Sequence, residues 1–213
     1  RLYIINSLFS NLYANVKLPL GIDYKLSYQP GLGFSNNYNY WNPSSTVGGV
    51  NHVGGYATRD DGRSFGWRLD NILTWNKTYG VNKFDLTLLA TSELHKGWSS
   101  HQDNSNFSPS GNLGYNALQF GSSPGISNND SWSSGNSYMG RINYTLLDRY
   151  LLTASVRRDG YSAFGQKNPE ATFPAVALAW VISNESFFNV PEIDFLKLRF
   201  SRGVNGNRSI GIY

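Results

Sequence analysis

The sequence predicts an all-β fold: an antiparallel up-and-down transmembrane β-barrel, present as an incomplete section of about eight strands with long loops on one side. Three observations predict it. Apolar and polar residues alternate with a period of two through successive segments, which gives each segment one greasy and one polar face. Tight connections alternate with long polar stretches, so the tight turns gather at one end of the sheet and the long loops at the other. Aromatic residues make up 15% of the 213 residues and charged residues another 15%, a balance suited to twisted strands and polar loops.

The first strand pattern is Leu12, Ala14, Val16 and Leu18, turned by Pro19-Leu20-Gly21 into Ile22, Tyr24, Leu26 and Tyr28. From Phe34 to Ser64 the pattern dissolves into Gly, Asn, Ser and Pro, which reads as a long polar loop. Phe65, Trp67, Leu69, Leu73 and Trp75 then share one face, and a Tyr79-Gly80-Val81-Asn82 turn leads to Phe84, Leu86, Leu88, Ala90 and Leu94. A second polar loop is expected from Lys96 to Asn136. Tyr138, Gly140, Ile142, Tyr144 and Leu146 follow, then a tight Asp148-Arg149 corner, then Tyr150, Leu152, Ala154 and Val156. Beyond a loop from Tyr161 to Ala171, Val176, Leu178, Trp180 and Ile182 make another apolar face. Ser183 to Asp194 is the one expected helical turn, with Ser183 or Asn184 as its N-cap. Leu196, Leu198 and Phe200 close the series, facing away from Lys197, Arg199 and Ser201.

The charged strand residues Arg68, Asp70, Asp85, Glu93, Arg141, Arg157, Lys197 and Arg199 all fall in the polar phase. A charge on a lipid-facing position near the midplane costs about 2–4 kcal/mol. A soluble sandwich shows the same alternation. The size of the aromatic side chains and the one-sided loops favour lipid, with Trp67, Trp75, Tyr138, Tyr144, Tyr150 and Trp180 at strand shoulders as in interface girdles.

Composition excludes several classes. No apolar run approaches the ~18 residues a spanning helix needs, which leaves a transmembrane barrel open. The chain has no Cys, hence no disulfide framework or thiolate metal site. Net charge is +4, but the basic residues are scattered singly and make no nucleic-acid footprint. The chain neither starts with Met nor ends on a recognisable barrel terminus, and is expected to be a piece of a longer protein.

Little here suggests catalysis. His52, His95 and His101 lack metal-ligand spacing and read as solvated loop histidines. Asp60-Asp61-Gly62 and Asp103-Asn104-Ser105-Asn106 lack the bidentate Glu of a calcium loop and read as turn formers. No nucleophile elbow or phosphate loop occurs, so no enzymatic activity, metal or other cofactor is expected. The substrate-binding candidates are the aromatics of the expected loops, Tyr38, Tyr40, Trp41, Trp98 and Trp132. Flat rings stack on sugar faces while neighbouring Asn and Asp bind hydroxyls. The same rings also serve as hydrophobic anchors that pack loops.

The last third of the chain carries more specific words. Tyr150-Leu151-Leu152-Thr153-Ala154-Ser155-Val156-Arg157-Arg158-Asp159-Gly160 resembles the C-terminal barrel signature of SusC/RagA-type TonB-linked outer-membrane transporters. So do Thr172-Phe173-Pro174 leading to Trp180, Phe195-Leu196-Lys197-Leu198-Arg199, and Gly203-Val204-Asn205-Gly206-Asn207. The chain departs from the family at Glu170-Ala171, where a Trp-Gly pair is common, and at Ala179 and Val181, which flank the Trp. As family-motif scaffold the resemblance marks Arg157, Arg158, Asp159, Gly160, Phe173, Pro174, Trp180, Arg199, Gly203, Gly206 and Asn207. Within it Arg157 is read as lumen-facing, Arg158 as a rim residue and Gly160 as the point where the chain turns.

The resemblance implies a barrel of about 22 strands around an N-terminal plug, with residues 1–213 as a partial outer-membrane barrel domain lacking the plug and the remaining strands. It further implies a TonB-dependent importer of glycans or peptides in the cell outer membrane. The implied partners are a SusD-like surface lipoprotein and the TonB complex, reached through the missing plug. Two alternatives stay open: a passive porin or structural outer-membrane barrel, and a secreted carbohydrate-binding β-sandwich.

Overall fold

The structure, a computed structural model, describes residues 1–47, 54–107, 113–162 and 170–206. Among these residues nine strands form one sheet: β1 (Leu2–Phe9), β2 (Leu12–Leu18), β3 (Ile22–Trp41), β4 (Tyr56–Tyr79), β5 (Asn82–Ser105), β6 (Gly125–Leu146), β7 (Tyr150–Tyr161), β8 (Glu170–Val181) and β9 (Lys197–Gly203). From β3 to β9 each pairs with the next in sequence, while β1 and β2 both pair with β3. The sheet is antiparallel, as expected.

β1 and β2 occupy one strand position. Phe9 pairs with Gly31 and Leu12 with Tyr28, so the register continues unbroken across the gap. Ser10 donates its N–H to the Pro30 carbonyl at 3.1 Å, but Pro30 has no N–H to return. One missing rung divides the strand. The sheet therefore has eight positions, the number the sequence pattern predicts.

By contacts the chain divides into two compact units: Arg1–Ser10, Pro30–Trp67 and His95–Trp132 in one, and Asn11–Gln29, Arg68–Leu94 and Ser133–Tyr213 in the other. The first holds the two longest of the expected loops, and both are shorter than predicted. β3 runs to Trp41 and β4 begins at Tyr56, and β5 runs to Ser105 with β6 beginning at Gly125. Polar residues of low strand propensity are held in ladder by their side chains. Asn36 Nδ2 donates to Asp61 Oδ1 at 2.5 Å, Tyr38 Oη to the same oxygen at 2.6 Å, and Asn39 Nδ2 to Thr58 Oγ1 at 3.3 Å. Asp60, Asp61 and Asp103 are thus strand residues, not turn formers.

The β5–β6 connection contains two short 3₁₀ turns, Gly114–Asn116 and Leu118–Phe120. Asn104 organises its base, accepting the Ser105 and Ser123 amides at 2.8 Å each and donating to the Leu118 carbonyl at 2.8 Å. Gly114 has φ +54°, and a Cβ there would stand 2.8 Å from the Tyr40 ring, so the turn settles onto that ring only without a side chain.

The second unit holds the tight turns. At Leu20 and Gly21 φ is positive, and at Leu147 and Asp148 φ is 55° in both, with Arg149 N–H closing onto the Leu146 carbonyl at 3.0 Å. That is the twist hairpins prefer, reached at Leu147-Asp148 without glycine or asparagine. The β8–β9 connection is the exception to the expected rule of tight turns. It runs from Ile182 to Leu196, its base closed by the Ile182 and Ser183 amides on the Leu196 carbonyl at 2.9 and 3.2 Å. Its helical turn is 3₁₀, spans Ile182–Asn184, and has Val181 at the N-cap with no side-chain cap. Asn184 instead donates Nδ2 to the Asp148 carbonyl at 3.0 Å.

In this unit the apolar phases of neighbouring strands face the same way. Leu152 pairs with Leu178, Leu178 with Phe200, and Trp180 with both Tyr150 and Leu198. Three of them stand open: Leu178 is 54% exposed, Leu198 61% and Phe200 67%. Among the described residues, the buried apolar set is Ala57, Phe107, Ala117 and Val181. A sandwich would bring these greasy faces against a second sheet, and the described residues form one sheet, against that reading.

Aromatic tips at the turns find acceptors. Trp75 Nε1 donates to the Leu20 carbonyl at 3.2 Å and Tyr144 Oη to Asn82 Oδ1 at 2.7 Å. Glu185 collects three donors: Tyr150 Oη at 2.7 Å, Trp180 Nε1 at 2.9 Å and Arg149 Nη1 at 3.0 Å. The Trp180 and Tyr150 hydrogen bonds, then the Arg149 charge, hold the Glu185 carboxyl below its ordinary range.

A lowered folded-state pKa contributes stability above the unfolded value that is lost as pH falls through the folded one. Hydrogen-exchange protection of the β8–β9 connection is therefore expected to hold at neutral pH and to fall only below the ordinary glutamate range of about 4.3. Glu185→Gln should lower protection at neutral pH and flatten this dependence. Leu147→Asn should stabilise the intact protein by about 1 kcal/mol, read as a higher heat-unfolding temperature, because Asn tolerates the left-handed backbone.

Candidate cargo-facing surface

In the unit that holds the long connections, period-two alternation brings three short sets onto one face. They are Asn37, Asn39 and Trp41 of β3, Tyr56, Thr58 and Asp60 of β4, and His101 and Asp103 of β5. His101 stands between two carboxylates, with Nδ1 2.6 Å from Asp60 Oδ1 and Nε2 3.4 Å from Asp103 Oδ1. A neutral imidazole donates to one of them only, and a protonated one to both. From Asp60 the polar chain continues through Asn37 Nδ2 at 3.4 Å, and Asn39 Nδ2 reaches Asn37 Oδ1 at 3.4 Å. Beside it the Trp41 and Tyr56 rings stack at 5.5 Å and 23°. The Asp60 and His101 side chains remain about 40% exposed, so this face offers carboxylate, amide and imidazole groups next to an aromatic platform. Among the described residues no group of acidic and histidine side chains has the geometry of a metal site. His52 lies outside the described residues.

The five predicted aromatics lie on strands rather than loops, and they do not converge. Trp41 belongs to the face just described. Tyr38 and Tyr40 alternate to the opposite face of β3, and Trp98 to the opposite face of β5 from His101. Tyr38 is a structural hub: Arg59 Cζ lies 4.3 Å over its ring, and its oxygen accepts from Arg59 Nη2 and Asn36 Nδ2 at 3.1 Å each. Tyr40 packs edge-on against Phe107 at 6.1 Å. Trp98 lies under Arg63 at 5.5 Å, and Trp132 on β6 is 66% exposed. Tyr56 is not singled out by the sequence, and Asp60, His101 and Asp103 read there as turn formers and a loop histidine rather than as one face. Their signal was the i, i+2 spacing of Thr58 with Asp60 and His101 with Asp103, concealed by the assumption that these stretches were loops.

No protein-family profile matches the chain. Among curated proteins, a TonB-dependent receptor of Formosa agariphila is 31% identical over 93% of this chain, which covers 19% of that receptor. The TonB-dependent receptor SusC of Bacteroides thetaiotaomicron is 47% identical over 76 residues, 35% of this chain and 8% of SusC. The chain belongs to the SusC/RagA-type TonB-dependent receptors. It spans about a fifth of the length of the Formosa receptor. Its fold is that of the solved RagAB peptide transporter, with a TM-score of 0.79 over 99% of this chain and 24% of that one, at 17% identity.

The scaffold motifs of this receptor section lie in the unit that holds the tight turns. Arg157 Nε bonds both oxygens of Asp159, at 2.7 and 3.0 Å, on the polar phase of β7. Arg68 Nε does the same to Asp70 on β4 at 3.0 Å each, and Thr91 Oγ1 adds a bond to Asp70 Oδ1 at 2.6 Å. Arg158 falls in the other phase, opposite Tyr138, and pairs with Glu170. Gly160 does not turn the chain. It lies inside β7, paired with Glu170. Phe173 and Pro174 lie opposite Arg157 and Val156, Trp180 opposite Tyr150, and Arg199 opposite Ala179. Gly203 pairs with Ala175, whose Cβ would stand 3.0 Å from any Cβ at 203, and the Phe173 ring fills the space a side chain at Gly206 would need. Asn207 lies outside the described residues.

Tyr38→Phe removes the hydroxyl that joins Arg59, Asn36 and Asp61. It should destabilise the intact receptor by about 1–2 kcal/mol in heat-induced unfolding. Trp132→Ala should change stability by no more than about 0.5 kcal/mol.

Proposed function

We propose that the chain is part of the barrel wall of a TonB-dependent outer-membrane importer, with its polar phase lining the lumen and its apolar phase against lipid. The observation that carries this is the opposition of the two phases: paired Arg–Asp groups on one side, and uncovered Leu178, Leu198 and Phe200 on the other. Hydrocarbon is the one environment in which the second set is stable without another protein layer. Import rather than passive diffusion follows from kinship with TonB-dependent receptors, as does a role without catalysis. Energy enters through TonB, and a SusD-like lipoprotein covers the extracellular mouth.

The cargo is an oligosaccharide. The stacked Trp41–Tyr56 pair suits the flat face of a sugar ring, and Asn37, Asn39 and Asp60 suit its hydroxyls. A second reading is a cationic peptide, favoured by the two carboxylates around His101 and by the peptide cargo of the RagAB transporter.

The membrane reading is tested by a charge scan of the full-length receptor. Ala154→Arg should cost about 2–4 kcal/mol and abolish heat-modifiable assembly in the outer membrane, while the adjacent Ser155→Arg should assemble. Equal tolerance of both would refute the assignment of faces. For cargo, Trp41→Ala should weaken oligosaccharide binding by about 5–30-fold, equivalent to about 1–2 kcal/mol. Trp98→Ala and Trp132→Ala should leave it unchanged. Uptake that survives deletion of TonB would favour the porin alternative, and copurification of a surface lipoprotein with the receptor tests the partner.

A further inference from the structure

The connection between β8 and β9 has features that neither the barrel wall nor the cargo reading uses. It is self-closed: the Phe188 amide donates to the Glu185 carbonyl at 3.1 Å and the Ile193 amide to the Val190 carbonyl at 3.1 Å, above the base at Ile182 and Leu196. It is also greasy on the outside. Phe187 is 67% exposed and Phe195 64%, with Val190 and Ile193 also open. A water-facing turn has no physical reason to display four such side chains.

Its attachment shows which way it leans. Glu185 accepts from Trp180 and Tyr150, both in the apolar phase of their strands, and the Phe187 ring packs against Trp180 at 6.2 Å and 60°. The connection is thus tied to the greasy side of the sheet. Beside it a groove of about 430 Å³, bordered by Tyr144, Leu152, Leu178 and Phe200, continues the same apolar surface. Arg149 neutralises Glu185 at 3.0 Å, so the anchor itself carries no unpaired charge into this region.

We propose that the β8–β9 connection is an interfacial foot. It lies in the headgroup layer of the leaflet at the tight-turn end, with Phe187, Val190, Ile193 and Phe195 dipped into lipid and Glu192 and Asp194 left in water. The inference rests on the lipid-facing assignment of the apolar phase and extends it from strands to a loop. The occupant is the lipid surface itself, because the exposed side chains are continuous with the face that hydrocarbon covers. Tyr and Trp with polar tips satisfied at the rim are what such a boundary favours.

The test uses the full-length receptor in phospholipid bilayers, with a nitroxide at a single cysteine introduced as Phe187→Cys, and folding checked by heat-modifiable mobility. Depth is read from relative collision with oxygen and with a polar nickel chelate. Leu178→Cys serves as the control for the strand face and Thr153→Cys for the opposite phase. The expected result places position 187 at headgroup depth, shallower than 178 and deeper than an aqueous site. Free access of the chelate to 187 would overturn the proposal, as would exclusion of both colliders, which signals packing against protein. If 178 is itself out of reach of oxygen, the lipid-facing assignment fails. If 178 is lipid-exposed and 187 is not, only the foot fails. Val190→Cys gives the same reading if the variant at 187 does not assemble.

Discussion

Everything in this structure follows from one constraint: a single β-layer has two faces and no interior. Inside the sheet, backbone polar groups are satisfied strand to strand, so the ladder imposes no preference for water or lipid on either face. The side chains impose it. In the unit with the tight turns, Leu178, Val156, Val176, Leu198 and Phe200 occupy one phase and stand exposed, while Arg68–Asp70 and Arg157–Asp159 occupy the other. Tyr24 and Asn71, polar groups in the apolar phase of β3 and β4, are joined by a hydrogen bond from Tyr24 Oη to Asn71 Oδ1 at 2.6 Å.

The same constraint governs the ends of the strands. Where the apolar band stops, large aromatic rings turn their donors toward turn carbonyls and carboxylates, as Trp75 does to Leu20 and Trp180 to Glu185. Each ring contributes apolar area on one side and a satisfied polar tip on the other, which suits a boundary between two solvents. In the unit with the long connections the strands continue in polar residues, with Asn, Asp, Tyr and Arg side chains bonded across the ladder. There the sheet is held by side-chain hydrogen bonds on both faces, and the face bearing His101 and Trp41 has its groups collected by phase alone.

Much of this was legible in the residues. The hairpin at Pro19–Gly21, the corner at Asp148-Arg149, and the phases of Leu152, Val156, Leu178 and Trp180 were read directly from alternation, because the apolar set marks register wherever one face is greasy. Strand ends were not legible where both faces are polar. Stretches such as Asn36 to Trp41 and Tyr56 to Ser64 have the composition of a loop, and only cross-strand pairing makes them strands. The candidate site was hidden for that reason: Asp60, His101 and Asp103 look like separate turn residues until β4 and β5 are extended past the apolar band. Trp41 was the one predicted aromatic placed with them, and four others of the same kind went elsewhere, since residue type does not encode phase. Pro30 carried its own signal, a residue without an N–H inside a strand, which explains a division that hydropathy does not show.

On the proposed lumen-lining reading, the two Arg–Asp pairs bear on passage along the wall. Each guanidinium is tethered to a carboxylate two positions away on its own strand, so in the turn-bearing unit these positive charges are answered before any molecule arrives. An anion drifting past Arg68 or Arg157 would have to compete with a partner bound to the same backbone, and a cation meets an aspartate already occupied. Such a surface has shallow wells for either sign. Slow escape from a deep trap limits transit through a charged pore, and on the proposed lumen-lining reading the paired stretches of β4 and β7 are where a polar solute would glide instead of stick.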